Sequence, residues 1–187
     1  MKNVLIISGH PDLSTSVANA TILDEVAKPY QTRKSAAWTD SLYPDYRFDI
    51  AAEQAALLQA DVVVLQFPFS WYSMPDLLKL WLDKIFPNGF SHGRKGKLGG
   101  KKQLFSFTTG APAVAYQKDG SMKHTVEDYF PAFETTATLC NLDFVEPIYT
   151  CGISYTARDD AAAINAQKEQ AREHAARLIA KIKEIAV

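Results

Sequence analysis

Three short segments of this chain place hydroxyls, backbone donors or aromatic rings directly after a run of apolar residues. The first runs from Ser8 to Asn19. It offers hydroxyls at Ser14, Thr15 and Ser16, then the opening amides of a helix at Val17, Ala18 and Asn19. A helix amino end holds an anion through its unpaired N–H groups and the positive end of its dipole. The segment lacks the glycine spacing of the dinucleotide fingerprint and of the P-loop, and it has no lysine. It suits a phosphate that is bound and kept, although helix capping alone accounts for one or two of the hydroxyls. His10 in this segment either bonds the loop backbone or faces a ligand.

The second segment, Phe67 to Pro75, carries Phe69, Trp71 and Tyr72. These rings either form a wall for a planar ligand or pack beneath their own loop. The third is Thr108, Thr109, Gly110 and Ala111. Glycine lets the backbone approach a ligand, and amides here can donate to a polar ring edge; an ordinary strand-to-helix turn is the alternative. An anion pocket, an aromatic wall and a donor edge on one side of one sheet suit flavin mononucleotide.

The elements that must carry these segments are legible as alternating strands and helices. Residues 4–7 are a continuous apolar run, as expected of a strand buried on both faces, and residues 61–67 and 103–109 read as two further strong strands. Further strands are expected at residues 35–39 and 144–150, the latter at or near an edge because of Pro147. Helices are expected from the Ser14 to Ser16 hydroxyls to about residue 29, from Asp49 to about Gln59, from a Ser73-capped start with Pro75 in the first turn, over residues 125–140, and over residues 158–186. The last carries the stripe Ala171, Ala175, Leu178, Ile182 and Ile185. Alternation of this kind implies an α/β fold with a five-stranded parallel sheet and helices on both faces. In such sheets ligands bind beyond the carboxyl ends of the strands, where strand order reverses. Absence of repeats, low-complexity tracts and linkers implies one domain over residues 1–187.

Bulk composition excludes several classes. The chain has 187 residues, 47% of them hydrophobic and 22% charged, with a net charge of −1. That gives no electrostatic footprint for nucleic acid. No apolar run is long enough to cross a bilayer, and the first residues are too short a run for a signal peptide, so a cytoplasmic location is expected. Cys140 and Cys151 cannot build a disulfide framework and are expected as buried thiols. The four histidines show no metal-ligand spacing, so no metal is expected. A Gly-x-Ser-x-Gly elbow for acyl transfer is absent, as is the carboxylate cluster of a phospho-acceptor domain. The loop with Arg94, Lys95, Lys97, Lys101 and Lys102 is read as solvated, with the 2′-phosphate of NADPH or an acidic partner as alternatives.

The motif residues resemble the NAD(P)H dehydrogenase (quinone) family, a flavodoxin-like group that includes the diaphorase type. The resemblance rests on Ser8-Gly9-His10-Pro11 with Ser16-Val17-Ala18-Asn19, on Phe67-Pro68-Phe69-Ser70-Trp71-Tyr72 leading into Pro75 to Asp83, and on Thr108-Thr109-Gly110. Leu42-Tyr43-Pro44-Asp45 and the stretch from Phe48 to Gln54 resemble the ancillary quinone reductases of glutathione-gated potassium efflux systems. The resemblance implies a flavin held by His10, by Ser16, Val17, Ala18 and Asn19, by Phe69, Ser70, Trp71 and Tyr72, and by Thr108, Thr109, Gly110 and Ala111. The cofactor it implies is FMN, with FAD in longer relatives, and NAD(P)H is the implied co-substrate. It implies a homodimer with sites at the subunit interface and, in the efflux branch, a membrane transporter as partner, which would place the protein peripherally at the membrane's inner face.

Two positions depart from the family pattern. Ala111 stands where a second glycine is common. Tyr116 matches a site tyrosine, whereas the site histidine six residues later is replaced by Met122, with His124 two residues beyond. Tyr116 and His124 are the catalytic candidates. The expected reaction is a ping-pong hydride transfer from NAD(P)H to a quinone-like acceptor. A flavodoxin-type electron carrier and a regulatory transporter subunit are the rivals; the near-neutral charge argues against the carrier.

Overall fold

The computed structural model describes residues 3–30, 33–34, 48–154 and 160–186. Five parallel strands form one sheet: β1 (Val4–Ser8), β2 (Arg33–Lys34), β3 (Val62–Pro68), β4 (Lys102–Thr108) and β5 (Asp143–Thr150), in spatial order β2-β1-β3-β4-β5. β1, β3 and β4 are buried almost throughout. Their side chains alternate between two cores. Leu5, Ile7, Val63, Leu65, Phe67, Phe105 and Phe107 face one core; Ile6, Val62, Val64 and Leu104 face the other.

Among the described residues five helices cover the faces: α1 (Val17–Ala27), α2 (Ile50–Gln59), α3 (Asp76–Ile85), α4 (Phe130–Leu139) and α5 (Ala161–Ile185). Leu57 of α2, Leu77, Leu78, Trp81 and Ile85 of α3, and Phe133 of α4 fill the first core. Ala18, Ile22 and Val26 of α1 meet Ala171, Ala175, Leu178 and Ile182 of α5 in the second. The indole N–H of fully buried Trp81 donates to Glu53 at 2.9 Å, satisfying the one polar atom of that ring. Among the described residues, no helix is long and apolar enough to cross a membrane.

Several boundaries differ from expectation for local reasons. Ser16 alone caps α1; Ser14 and Thr15 belong to a preceding 3-10 turn capped by Asp12. The first helical residue of α3 follows Pro75, and Ser73 makes no cap, its amide bonding Ser70 O at 3.0 Å instead. Residues 127–129 form a 3-10 turn, and α4 starts only at Phe130, with Pro131 in the first turn, where its missing N–H costs nothing. The helix expected from residue 158 begins at Ala161, capped by Asp160; residues 158 and 159 lie outside the described residues. The strand expected at residues 35–39 and the motif at residues 42–45 also lie outside them, and β2 is described at Arg33–Lys34. β5 is an edge strand, with a register irregularity between its pairings to Leu104 and Ser106, beside Pro147.

The β1 tip is packed so tightly that glycine is required there. A Cβ on Gly9 would lie 2.6 Å from Leu78 Cδ2 and 2.9 Å from Leu78 Cβ. Gly9→Ala is therefore expected to lower unfolding free energy by about 1–3 kcal/mol, as overpacked cores do. Urea denaturation checks this; an unchanged midpoint would show that α3 yields freely.

A candidate cofactor cleft at the strand tips

Strand order reverses between β1 and β3, and a cleft of about 390 Å³ opens beyond the carboxyl tips of β1, β3 and β4. Its lining includes His10, Ser16, Val17, Ala18, Asn19, Phe69, Ser70, Trp71, Thr108 and Gly110. Thr15, Pro68, Ile153, Ser154 and Gln167 complete it. Ser16 caps α1 by accepting from the Asn19 amide at 3.2 Å, so the first-turn amides of Val17 and Ala18 have no acceptor within the helix. His10 Nδ1 accepts from the Asp12 amide at 3.1 Å, which in the neutral ring puts the proton on Nε2.

The aromatic wall is displayed on a strained turn. Trp71 and Tyr72 have φ of 49° and 63°, and Ser73 N donates to Ser70 O at 3.0 Å. Two left-handed central residues closed by this bond follow the pattern of a type I′ turn, normally made with Asn-Gly. The turn leaves Trp71 92% exposed at the mouth of the cleft. Tyr72 stacks on Tyr129 at 5.5 Å, and Phe69 stacks on Phe107 at 4.8 Å. The wall is thus backed by the aromatic layer of the first core.

Thr109, Ala111 and Tyr72 do not line the cleft directly. Thr109 is buried; its hydroxyl donates to Ala111 O at 2.8 Å and its amide to Thr150 O at 2.9 Å, so it braces the turn. Tyr116 is buried beside Thr109, and burial is the main cause that raises its phenol pKa. His124 is exposed, 3.4 Å from Asp128 and edge-on to Tyr129. Neither catalytic candidate reaches the cleft lining within this chain. Cys140 is buried as expected, but Cys151 is only half-buried at the β5 tip. The basic loop joins α3 to the first residue of β4, at the opposite end of the strands from the cleft. There Lys101 bonds the carbonyls of Leu58 and Ala60, and Lys102 pairs with Asp143 at 2.7 Å, so neither can meet a phosphate in the cleft.

The segment after β5 was not anticipated as part of the site. Gly152, with φ +83°, turns the chain back so that its amide meets Ala111 O at 2.9 Å and Ile153 N meets Thr109 O at 2.9 Å. Gln167 of α5 reaches over to donate to Ser154 O at 2.6 Å. Also unanticipated is a buried polar row beneath the cleft. Register pairs Ser8 with Gln66 and Gln66 with Ser106. Gln66 donates to Asn19 Oδ1 at 2.9 Å, and Ser106 donates to Gln66 Oε1 at 2.6 Å. His174 of α5, with no exposed surface, closes the row against Ser106 and Thr150 at 2.7 and 2.9 Å.

Burial pushes the His174 pKa down to about 3, with the Arg177 charge adding to the effect. The unfolded chain protonates this histidine near pH 6.5 and the folded protein refuses the proton, so stability is lost as pH falls from about 6.5 toward 3. The expected slope is about 1.4 kcal/mol per pH unit. Between pH 7 and pH 5 the wild type should lose about 2 kcal/mol more than His174→Gln, as read by urea denaturation at both pH values. Equal losses would refute a neutral buried ring.

Comparison with known proteins agrees with this geometry. Residues 2–175 match a family model described as flavodoxin-like fold. The ancillary protein KefF of a glutathione-regulated potassium-efflux system from Klebsiella aerogenes is 34% identical over 184 residues, covering 94% of each chain. The structure of general stress protein 14 from Treponema denticola, in complex with FMN, is 32% identical and covers 96% of this chain and 99% of its own, with a TM-score of 0.79. An NADPH-quinone reductase from P. pentosaceus shares the fold at 24% identity and a TM-score of 0.75, covering 95% of this chain and 97% of its own. With almost its whole length matched, the chain belongs to the flavodoxin-like family.

Proposed function

We propose that this flavin oxidoreductase carries FMN in the cleft and passes hydride from NAD(P)H to a quinone-like acceptor. The observation that carries the reading is the coincidence, in one cleft, of the α1 amino end with the Ser16 and Thr108 hydroxyls and of the Phe69 to Trp71 wall. The residues fit the cofactor. Val17 and Ala18 amides with the Ser16 hydroxyl hold the phosphate, and one such pocket favours FMN over FAD. Phe69, Ser70 and Trp71 flank the ring with Tyr72 supporting them from behind, His10 closes the β1 side, and Gly110 presents backbone at its polar edge, with Ala111 continuing the turn. When bound, FMN supplies reversible two-electron hydride acceptance, which lets one open face serve donor and acceptor in turn.

Tyr116 acts from behind, bracing Thr109 and the turn that follows it. His124, at the rim beside Tyr129, stands where an incoming acceptor passes. The exposed Trp71 and Val114, 92% and 73% accessible, support a homodimer that covers this rim. A second reading, an ancillary subunit of a potassium efflux transporter, is favoured by the likeness to KefF. Retention on a transporter's cytoplasmic domain distinguishes it from a free-standing reductase.

The purified protein should be yellow, release FMN by mass analysis, and consume NAD(P)H when a quinone is added without any second protein. A colourless protein that neither FMN nor FAD reconstitutes overturns the reading. Replacing the strained pair by Trp71→Asn with Tyr72→Gly should raise unfolding free energy by about 1–2 kcal/mol as two left-handed side chains are relieved. The same change should weaken FMN binding by about tenfold through loss of ring contact, measured by flavin fluorescence titration.

A further inference from the structure

An arginine at one end of the row favours one direction for the hydrogen bonds under the cleft. Arg177 can only donate. Its Nη2 donates to Thr150 Oγ1 at 2.6 Å and to Tyr149 O at 2.8 Å. Thr150, having accepted, has its own proton to give, and His174 Nδ1 lies 2.9 Å away. A neutral ring that accepts at Nδ1 carries its proton on Nε2, which faces Ser106 Oγ at 2.7 Å. Ser106 then gives its single proton to Gln66 Oε1 at 2.6 Å, and the Gln66 amide donates to Asn19 Oδ1 at 2.9 Å. Asn19 Nδ2 donates to Ser16 Oγ at 3.3 Å and to Thr108 Oγ1 at 3.4 Å. Ser16 also accepts from the Asn19 amide at 3.2 Å.

Every link therefore runs the same way. Ser16 and Thr108, at its end, accept from within the protein, and both line the cleft. Gln66, Ser106 and His174 expose no surface, so no water can reverse a link in the middle. We propose that Arg177, Thr150, His174, Ser106, Gln66 and Asn19 form a one-way donor chain that turns the hydroxyl protons of Ser16 and Thr108 into the cleft, making His174 a positioning residue that selects a phosphorylated ligand. The proposal rests on the FMN reading for the identity of that ligand. A hydroxyl fixed as a donor welcomes phosphate oxygens; the same hydroxyl turned round presents lone pairs to them. Chains of this kind also polarise one another in a low-dielectric interior.

Two measurements test it. Long-range proton–nitrogen NMR on the flavin-free protein should show His174 neutral, with hydrogen on Nε2 and none on Nδ1. A ring protonated on Nδ1 overturns the chain's direction. Fluorescence titration should then compare FMN with riboflavin, which lacks the phosphate. Ser106→Ala should reduce the FMN-to-riboflavin affinity ratio by about tenfold or more, the scale of one charge-assisted hydrogen bond, while riboflavin affinity stays within about twofold. Thr150→Val, which cuts the chain near the surface, should shift the ring tautomer and lower the ratio in the same direction. His174→Gln, whose amide can still donate to Ser106, should retain more of the ratio than His174→Phe. Equal losses for both flavins, or an unchanged ratio in Ser106→Ala, refute the proposal. A wild type that takes up neither flavin overturns the functional reading and its selectivity, whereas the ring tautomer still decides the chain on its own.

Discussion

The parallel pairing of β1 with β3 is the constraint on which the rest depends. It matches Val4 to Val62 through Ser8 to Gln66 residue by residue. Because β2 lies on the other side of β1, the crossovers depart in opposite directions from this seam, and a hollow is left where they diverge. The same register aligns Ser8, Gln66 and Ser106 in one row. A slip of one residue would send these polar groups into the Phe67 and Phe107 core and carry apolar side chains to the cleft floor. The seam thus decides both where the hollow lies and which side chains form its floor.

Above that floor the protein uses two kinds of material. The proposed phosphate end is the amino end of α1, whose cap and first turn are positioned by Asn19, a residue 3% exposed and bonded to both Gln66 and Thr108. The ring end is built on a turn that two aromatic residues occupy at left-handed φ. Such backbone persists only where surrounding structure over-determines it. Here the Phe69–Phe107 and Tyr72–Tyr129 stacks do so, tying the strained turn to the aromatic layer under α4. Rigid support for one end and strained display at the other match the proposed ligand: an anion with fixed geometry, and a flat ring that needs a wall.

Much of this was legible in the chain itself. The three strongest strands stand out as apolar runs of the right length, and the segments after them do meet at one cleft. Ser16 at the α1 cap and the stripe on α5 follow from local rules of capping and period. The polar row was not legible, because Gln66 within Val-Val-Val-Leu-Gln-Phe and Ser106 within Leu-Phe-Ser-Phe each look like a lone polar residue in a buried strand. Only register between strands some 40 residues apart makes them neighbours, and no period within one strand carries that information. His174 was hidden for a similar reason. It sits three residues after Ala171 and four before Leu178, on the buried stripe, where a histidine signals nothing until its partners are known. The turn after β5 was missed because Gly152 reads as an ordinary boundary until it is seen bonding back to Ala111.

The central place of β3 also governs the order in which the chain can assemble. β1 leaves the ribosome first, yet its main partner follows 58 residues later, as the match of Val4 with Val62 requires. Closing a loop of that size costs about 1.5RT times the logarithm of its length; the pairing with β2 among the described residues is Leu5 with Arg33 and Ile6 with Lys34. The β1 strand consequently lacks its β3 partner until residue 68 has emerged. From then on each new strand, β4 and then β5, adds to the edge of one already in place, so elongation past β3 is the moment at which synthesis turns into folding.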